Sequence, residues 1–190
     1  MEQGFLTEKK KISSIKHYET DTLKDLYMYN MGNVILQVTQ NCNLRCEYCV
    51  YSGSYINRVH TNKRMSFETA VKTIDFLAAH SLNCNEVSIG FYGGEPLLNM
   101  KLIQETIAYI ESLHIDNLRF SYNMTTNAML LGRYMDYLVE KDFTLLISLD
   151  GDEYQSGYRV DKHGKSSFTH VVGNIQKLKD TYPEDRKSVV

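Results

Sequence analysis

The feature that most constrains the fold is an alternation of short apolar runs with longer amphipathic ones from Val34 onward. The apolar runs, rich in β-branched and aromatic residues, predict strands at 34–40, 86–94, 117–128 and 143–151. Apolar residues at helical spacing predict helices at 65–80, 100–113, 131–140 and 168–179, the first with Ser66 as its N-cap. The chain thus contains four successive strand–helix units, a pattern typical of a parallel sheet with helical crossovers.

The two ends of the chain set the expected domain organisation. The closing letters RKSVV predict the start of a fifth strand that is cut off after Val190. Four βα units make half of a (β/α) barrel, and a bare parallel edge strand is an aggregation hazard. We therefore expect an α/β fold, a partial (β/α) barrel over 34–190, in an N-terminal fragment that is poorly soluble alone. Residues 1–33 are expected to form a separate N-terminal lead-in.

Charge and hydropathy narrow the expected partners. A formal net charge of −2 over 190 residues gives no electrostatic case for nucleic acid. No apolar stretch approaches the length of a membrane span, and the start MEQGFLTEKKK lacks the apolar core of a signal peptide. We expect a cytoplasmic chain without nucleic-acid or membrane partners. In that compartment thiols are kept reduced, which disfavours disulfides.

Three of the four cysteines, Cys42, Cys46 and Cys49, fall in the segment CNLRCEYC directly after the first strand. A buried helical stripe, a disulfide, a zinc site and an iron–sulfur cluster are the alternatives. The polar letters between the cysteines disfavour the stripe. Zinc normally takes four protein ligands, and Cys84 precedes the second strand, at the opposite end of the sheet. Three thiolates with an open fourth position suit a [4Fe–4S] cluster.

The other predicted strands also end in unusual residues. GGEP (93–96) follows the second strand, TTNA (125–128) the third and SLDG (148–151) the fourth. The carboxyl ends of parallel strands share one edge of the sheet, where ligands bind in βα folds. The sequence therefore predicts one site that includes the cysteine segment.

The spacing Cys-x3-Cys-x2-Cys after a first strand, together with GGEP after the second, resembles the radical S-adenosylmethionine (radical SAM) enzymes. The resemblance spans about 34–190 and implies a partial barrel of the radical SAM type. It also implies that Cys42, Cys46 and Cys49 hold three irons of a [4Fe–4S] cluster, with the fourth iron chelated by S-adenosyl-L-methionine.

The same resemblance implies cofactor-binding roles for residues around the cysteines and the glycine pair. Tyr48 would turn its ring or backbone toward the adenine. Gly93 and Gly94 would let backbone groups approach the methionine part of the cofactor, although a glycine pair is also an ordinary turn. Glu95 would meet the cofactor's amino group or brace the turn.

Three further residues are implied on the third and fourth strand ends. Asn127 resembles the asparagine of a T-N-G turn, with Ala128 in place of the glycine, so a left-handed backbone there is in question. Ser148 would hydrogen-bond a ribose or carboxylate, and Arg159 would pair with the cofactor's carboxylate. The alternatives are a strand-end hydroxyl and a surface arginine. No catalytic residue is assigned.

The motifs most resemble the peptide- and protein-modifying subgroup, which includes ribosomal-peptide maturases and anaerobic sulfatase-maturating enzymes. Its members usually carry a cysteine-rich SPASM or twitch extension with auxiliary clusters. The resemblance implies reductive cleavage of S-adenosylmethionine to a 5′-deoxyadenosyl radical, a peptide or protein substrate, and a reductant such as flavodoxin or ferredoxin. A non-catalytic metal-binding or peptide-binding fragment is the alternative. His60 and His163 lie in loops and could reach the site, but we expect both to be solvated. The loop over 50–65 is either a lid over the site or an ordinary surface loop.

Overall fold

A computed structural model of the chain describes residues 14–52 and 55–184. The predicted fifth strand at 186–190 and the first 13 residues of the lead-in lie outside the described residues. The described helices and strands, in chain order, are α1 (Leu23–Tyr29), β1 (Asn33–Thr39), α2 (Phe67–Ala79), β2 (Glu86–Gly93), α3 (Met100–Ser112), β3 (Arg119–Thr126), α4 (Leu131–Glu140), β4 (Thr144–Ile147) and α5 (Phe168–Thr181).

The four strands form one sheet in the order β1-β2-β3-β4, and every pair is parallel. Each strand lies beside the next one in sequence, with a helix between them, which is the geometry of an opened (β/α) barrel. The predicted α/β class and partial barrel are thus confirmed. Strand β4 ends at Ile147, earlier than predicted, because the chain leaves the sheet after Ser148 donates its N–H to the Thr126 carbonyl at 2.9 Å.

The hydrophobic core lies between one face of the sheet and the helices. Alternate strand residues supply it, for example Val87, Ile89 and Phe91 of β2, which are all buried. Ser66 caps α2 as predicted and accepts the N–H of Thr69 at 3.2 Å. The apolar residues Val71, Ile74 and Leu77 of α2 are spaced to share one face of the helix; Ile74 and Leu77 are buried, and Val71 is only half-buried.

The opposite, concave face of the sheet is largely polar. Gln37, Ser88 and Asn123 alternate with the core residues along their strands, and the Asn123 amide donates to the Ser88 hydroxyl at 2.8 Å. This face leads up to the carboxyl ends of the strands, where the cysteine segment lies.

The described part of the lead-in lies against the amino ends of the strands. Met31 donates its N–H to the His80 carbonyl, and Asn83 donates to the Tyr29 carbonyl, both at 2.9 Å. The division between 1–33 and 34–190 stays a prediction.

Within the described ranges, no helix has the length and apolarity needed to cross a membrane.

Candidate cofactor site

A cavity of about 330 Å³ opens at the carboxyl ends of the strands. All the residues singled out from the sequence line it, with the exception of Glu95, which lies behind its wall. The three cysteines come from the segment after β1, Gly93 and Gly94 from the end of β2, and Asn127 from the end of β3. The predicted meeting of the strand ends in one site is therefore present in the structure.

The cysteine segment is fixed by backbone pairing with residues far along the chain. Arg45 donates its N–H to the Val160 carbonyl at 2.6 Å, and Glu47 donates to the Tyr158 carbonyl at 3.0 Å. The segment is irregular rather than helical, and of its three cysteines only Cys46 is fully buried. A buried helical cysteine stripe is thus excluded.

The thiols of Cys42 and Cys46 are partly shielded from solvent. Burial raises the pKa of Cys42 and of Cys46 above the ordinary thiol value. The Leu44 N–H, 3.4 Å from the Cys42 sulfur, opposes that shift because it favours the thiolate. All three thiols line the same cavity, so the donor set fits a group that takes three thiolates.

No three or more His, Cys, Asp or Glu side chains within 14–52 and 55–184 are grouped so that they could hold one metal ion. A [4Fe–4S] cluster places each thiolate on a different iron, so it does not need the thiolates to converge on one point.

The glycine pair is required by the backbone of its neighbours. A Cβ atom at Gly93, whose φ is +150°, would lie 2.2 Å from the Thr39 carbonyl oxygen. A Cβ at Gly94 would lie 2.3 Å from the Asn41 carbonyl oxygen. The end of β2 therefore lies against the end of β1 at Gly93 and against the start of the cysteine segment at Gly94. The expected approach of a cofactor to the same backbone stays a prediction.

Glu95 is buried, with 1% of its surface exposed, and braces the site from behind. Its Oε1 accepts the Leu97 N–H at 3.1 Å and the Thr126 hydroxyl at 2.7 Å, and its Oε2 accepts the Asn127 N–H at 2.7 Å. Burial raises the pKa of Glu95, and these three donors pull in the opposite direction. Of the two roles considered from the sequence, its contacts match the brace.

The turn after β3 adopts the left-handed conformation that the missing glycine had put in question. Ala128 has a φ of 57° and is fully buried. The preceding Asn127 directs its amide nitrogen to the Asn43 side-chain oxygen at 2.8 Å and to the Cys42 sulfur at 3.6 Å. Asn127 therefore contacts the cysteine segment directly.

Tyr48 and Arg159 form a chain of contacts with Asp150. The Tyr48 hydroxyl donates to the Asp150 carboxylate at 2.5 Å and accepts a hydrogen bond from the Arg159 guanidinium. Burial and the Asp150 carboxylate raise the pKa of Tyr48 to about 12. The Arg159 Nε is buried and has no hydrogen-bond partner in the part of the chain that the structure describes. Arg159 is thus a buried cation at the cavity, not a surface arginine.

The profile of the Radical SAM superfamily matches residues 36–189. This chain belongs to the radical SAM superfamily. Members of the superfamily use a [4Fe–4S] cluster and S-adenosylmethionine. The three thiols lining one cavity of this radical SAM domain are of the right kind and number for such a cluster.

Two curated proteins are similar to this chain over most of its length. An uncharacterized protein of Methanocaldococcus jannaschii is 38% identical over 151 residues, which cover 78% of this chain and 49% of that protein. A cysteine-type anaerobic sulfatase-maturating enzyme of Clostridium novyi is 30% identical over 154 residues, covering 80% of this chain and 41% of the enzyme. The chain thus spans about half or less of the length of these relatives.

Solved structures support the fold. Native anSMEcpe with bound AdoMet aligns with a TM-score of 0.70 at 24% identity, covering 80% of this chain and 42% of that one. The same protein with bound AdoMet and the Cp18Cys peptide aligns at 0.68 and 22% identity, covering 80% and 40%. At these identities the likeness shows the fold, a partial barrel of the radical SAM type.

The sequence analysis gave no site role to Asp150 or to His60. Asp150 lies in the SLDG segment, but its pairing with Tyr48 joins residues that are far apart in sequence. His60, expected to be solvated, is instead half-buried and lines the cavity, with its Nε2 2.9 Å from the Ser52 hydroxyl. Of the two possibilities considered for His60, the structure shows the one in which it reaches the cavity, as do Val50 and Tyr51. Burial lowers the pKa of His60.

Cys84 lies where the sequence placed it, away from the other cysteines. It is half-buried just before β2, at the amino end of the strands, and its sulfur lies 3.7 Å from the Met31 carbonyl oxygen. It is not among the residues that line the cavity.

Proposed function

We propose that this radical SAM domain binds S-adenosyl-L-methionine at a [4Fe–4S] cluster and uses it to modify a residue of a peptide or protein substrate. One observation carries the proposal: three thiols, a glycine pair, an asparagine and a buried arginine from four strand ends line one cavity. When bound, the cluster and S-adenosylmethionine supply a 5′-deoxyadenosyl radical that abstracts a hydrogen atom from the substrate.

The residues of the chain have distinct parts in this proposal. Cys42, Cys46 and Cys49 hold the cluster. Backbone groups at Gly93 and Gly94 border the cavity, and the buried Nε–H of Arg159 can donate to the carboxylate of the cofactor.

The remaining cofactor contacts of the proposal come from the rim of the cavity. Tyr48 would contact the adenine, Asn127 the cofactor near the cysteine segment, and Ser148 a ribose or carboxylate. Glu95 acts behind them as a brace rather than as a direct contact.

The peptide substrate is supported by similarity. One relative is an anaerobic sulfatase-maturating enzyme, and a structural neighbour is solved with a peptide bound. We propose peptide maturation, with anaerobic sulfatase maturation as the second candidate because that relative is 30% identical. We also propose that a reductant such as flavodoxin or ferredoxin supplies the electron. The proposed location is the cytoplasm, where thiols stay reduced.

The deciding experiment is anaerobic reconstitution with iron and sulfide, followed by EPR of the dithionite-reduced protein with and without S-adenosylmethionine. We expect a [4Fe–4S]⁺ signal that changes when the cofactor is added. Cys46→Ser should lose the signal, whereas the matched control Cys84→Ser should keep it. Zinc uptake without iron, or a signal that ignores the cofactor, would support a non-catalytic metal-binding module instead.

The substrate class needs a second assay on the reconstituted protein. A cysteine-containing sulfatase-type peptide and its alanine counterpart would be incubated with S-adenosylmethionine and reductant. Formylglycine in the first peptide alone favours sulfatase maturation, and a crosslinked peptide favours a maturase. Formation of 5′-deoxyadenosine that neither peptide stimulates would contradict both peptide substrates.

A further inference from the structure

The Asn127 side chain is the only side chain within the described residues whose nitrogen lies within hydrogen-bonding reach of a cysteine sulfur of the cavity. Its Nδ2 is 3.6 Å from the Cys42 sulfur and 2.8 Å from the Asn43 oxygen. An amide nitrogen carries two hydrogens, so it can serve both acceptors at once. The Asn127 oxygen accepts the Met129 N–H at 3.0 Å, which fixes the nitrogen on the sulfur side.

This amide is held in place by a built and buried support. Asn127 is 5% exposed, and its own N–H is bound by the carboxylate of Glu95, which is 1% exposed. The next residue, Ala128, accepts a left-handed backbone at φ 57°, a conformation that costs a non-glycine residue about 1–2 kcal/mol. The turn therefore keeps an unfavourable conformation at the point that aims Asn127 at the cysteine segment.

A hydrogen bond to a coordinating sulfur has a defined chemical effect. The donor withdraws electron density from the thiolate and favours the cluster state that carries the additional electron. The Leu44 backbone N–H, at 3.4 Å, already gives Cys42 one such donor. Asn127 adds a second one, on a side chain that can be changed by mutation.

We propose that Asn127 donates a hydrogen bond to the Cys42 thiolate and thereby raises the reduction potential of the cluster. The proposal rests on the proposed function, because it requires a cluster on the three cysteines. It gives Asn127 a tuning role toward the cluster, beyond the cofactor contact that the sequence implied. Glu95 is then the positioning residue that holds the Asn127 backbone in place.

The test is an EPR-monitored dithionite titration of the reconstituted protein, in which each cluster takes up one electron. Asn127→Asp keeps the size of the side chain and an oxygen for the Met129 N–H, but it replaces the donor to sulfur with a carboxylate whose charge also lowers the potential, so the neutral variant Asn127→Ser is the deciding one. We expect the equilibrium constant for reduction to fall about tenfold, which corresponds to about 59 mV for one electron. Asn127→Ser, whose side chain is too short to reach the sulfur, should shift the potential in the same direction.

The matched control is Asn174→Ala. The Asn174 amide donates to the Ala128 carbonyl at 2.8 Å and so supports the same turn from the α5 side, without contact to a thiol. We expect the potential of this variant to stay at the wild-type value. An equal fall in Asn174→Ala would show that loosening the turn, not loss of the bond to sulfur, causes the shift, and would overturn the proposal.

The outcomes separate the tuning role from the proposed function. If the wild-type protein takes up no [4Fe–4S] cluster, both fail. If it does, and Asn127→Ser titrates at the wild-type potential, only the tuning role is wrong, whatever the potential of Asn127→Asp. If Asn127→Ser fails to load a cluster, the tuning role is rejected in favour of a purely structural role for Asn127.

Discussion

Replacing Gly94 with alanine should damage the fold far more than its exposed position suggests. Gly94 lies on the surface, yet a Cβ there would approach the Asn41 carbonyl oxygen to 2.3 Å. That is about 1 Å closer than carbon and oxygen atoms pack in protein interiors. The obstacle is backbone rather than a flexible side chain, so the strand end and the cysteine segment must move apart.

The magnitude follows from what that movement breaks. The Gly94 N–H bonds to the Thr39 carbonyl at 3.0 Å, and the Glu95 N–H bonds to the Asn41 carbonyl at 2.9 Å. Losing both bonds costs about 2 kcal/mol, and residual overpacking adds about 1–3 kcal/mol. We expect Gly94→Ala to lower the free energy of unfolding by about 3–5 kcal/mol, measured by urea denaturation.

The matched control lies on a helix. No atom lies within 4 Å of a Cβ built at Gly173 in α5, so Gly173→Ala should raise the free energy of unfolding by up to about 1 kcal/mol through helix propensity. If Gly94→Ala costs less than about 1 kcal/mol, the inferred contact between the end of β2 and the cysteine segment is wrong.

Three further predictions concern single contacts. Tyr48→Phe and Asp150→Ala each remove the same hydrogen bond, from the Tyr48 hydroxyl to the Asp150 carboxylate. In a double-mutant cycle measured by urea denaturation, their losses of unfolding free energy should therefore differ from additivity by about 0.5–1.5 kcal/mol, and additive losses would contradict that contact. Burial raises the pKa of Tyr122 to about 12, against about 10 in the unfolded chain, so its contribution is present below pH 10 and lost as pH rises to 12. Stability of the wild type should therefore fall more steeply over that range than that of Tyr122→Phe. Ser66→Ala removes the cap on Thr69 and should lower the unfolding free energy by about 1 kcal/mol in the same assay; no change would mean that the cap is dispensable.

The elements could be predicted because their patterns are local. The helix predicted at 131–140 is observed as Leu131–Glu140, since apolar residues at helical spacing bury Leu131, Met135 and Leu138. The prediction for β4 ran too far, to 151, because Leu149 continues the alternation of apolar residues although the chain has left the sheet after Ile147. Periodicity reports which residues are apolar, but not where the hydrogen-bonding partner strand ends.

The sequence predicted most residues that meet at the cavity, but not the contacts between them. The cysteine spacing and GGEP could be read directly, and the order of strands brought them to one edge of the sheet. The partners of Tyr48 and Glu95 could not be read, because Asp150 and Asn127 come from other strand ends and depend on the exact packing of loops. Ala128 shows the same limit: the sequence suggested that the turn had lost its left-handed residue, and buried contacts retain it.

The cysteine segment keeps its shape mainly through backbone contacts, which explains why its side chains can be so polar. One side pairs with the segment around Val160, and the other side is touched by the end of β2 at Gly94. Backbone hydrogen bonds can be made by almost any residue type, so the residues between the cysteines can be polar. The cysteine side chains are then not needed to hold the segment and can serve as ligands. Glycine is the exception, because a close backbone approach excludes a Cβ. Gly94 is therefore the residue through which the sequence indicates that the end of β2 and the start of the cysteine segment are in contact.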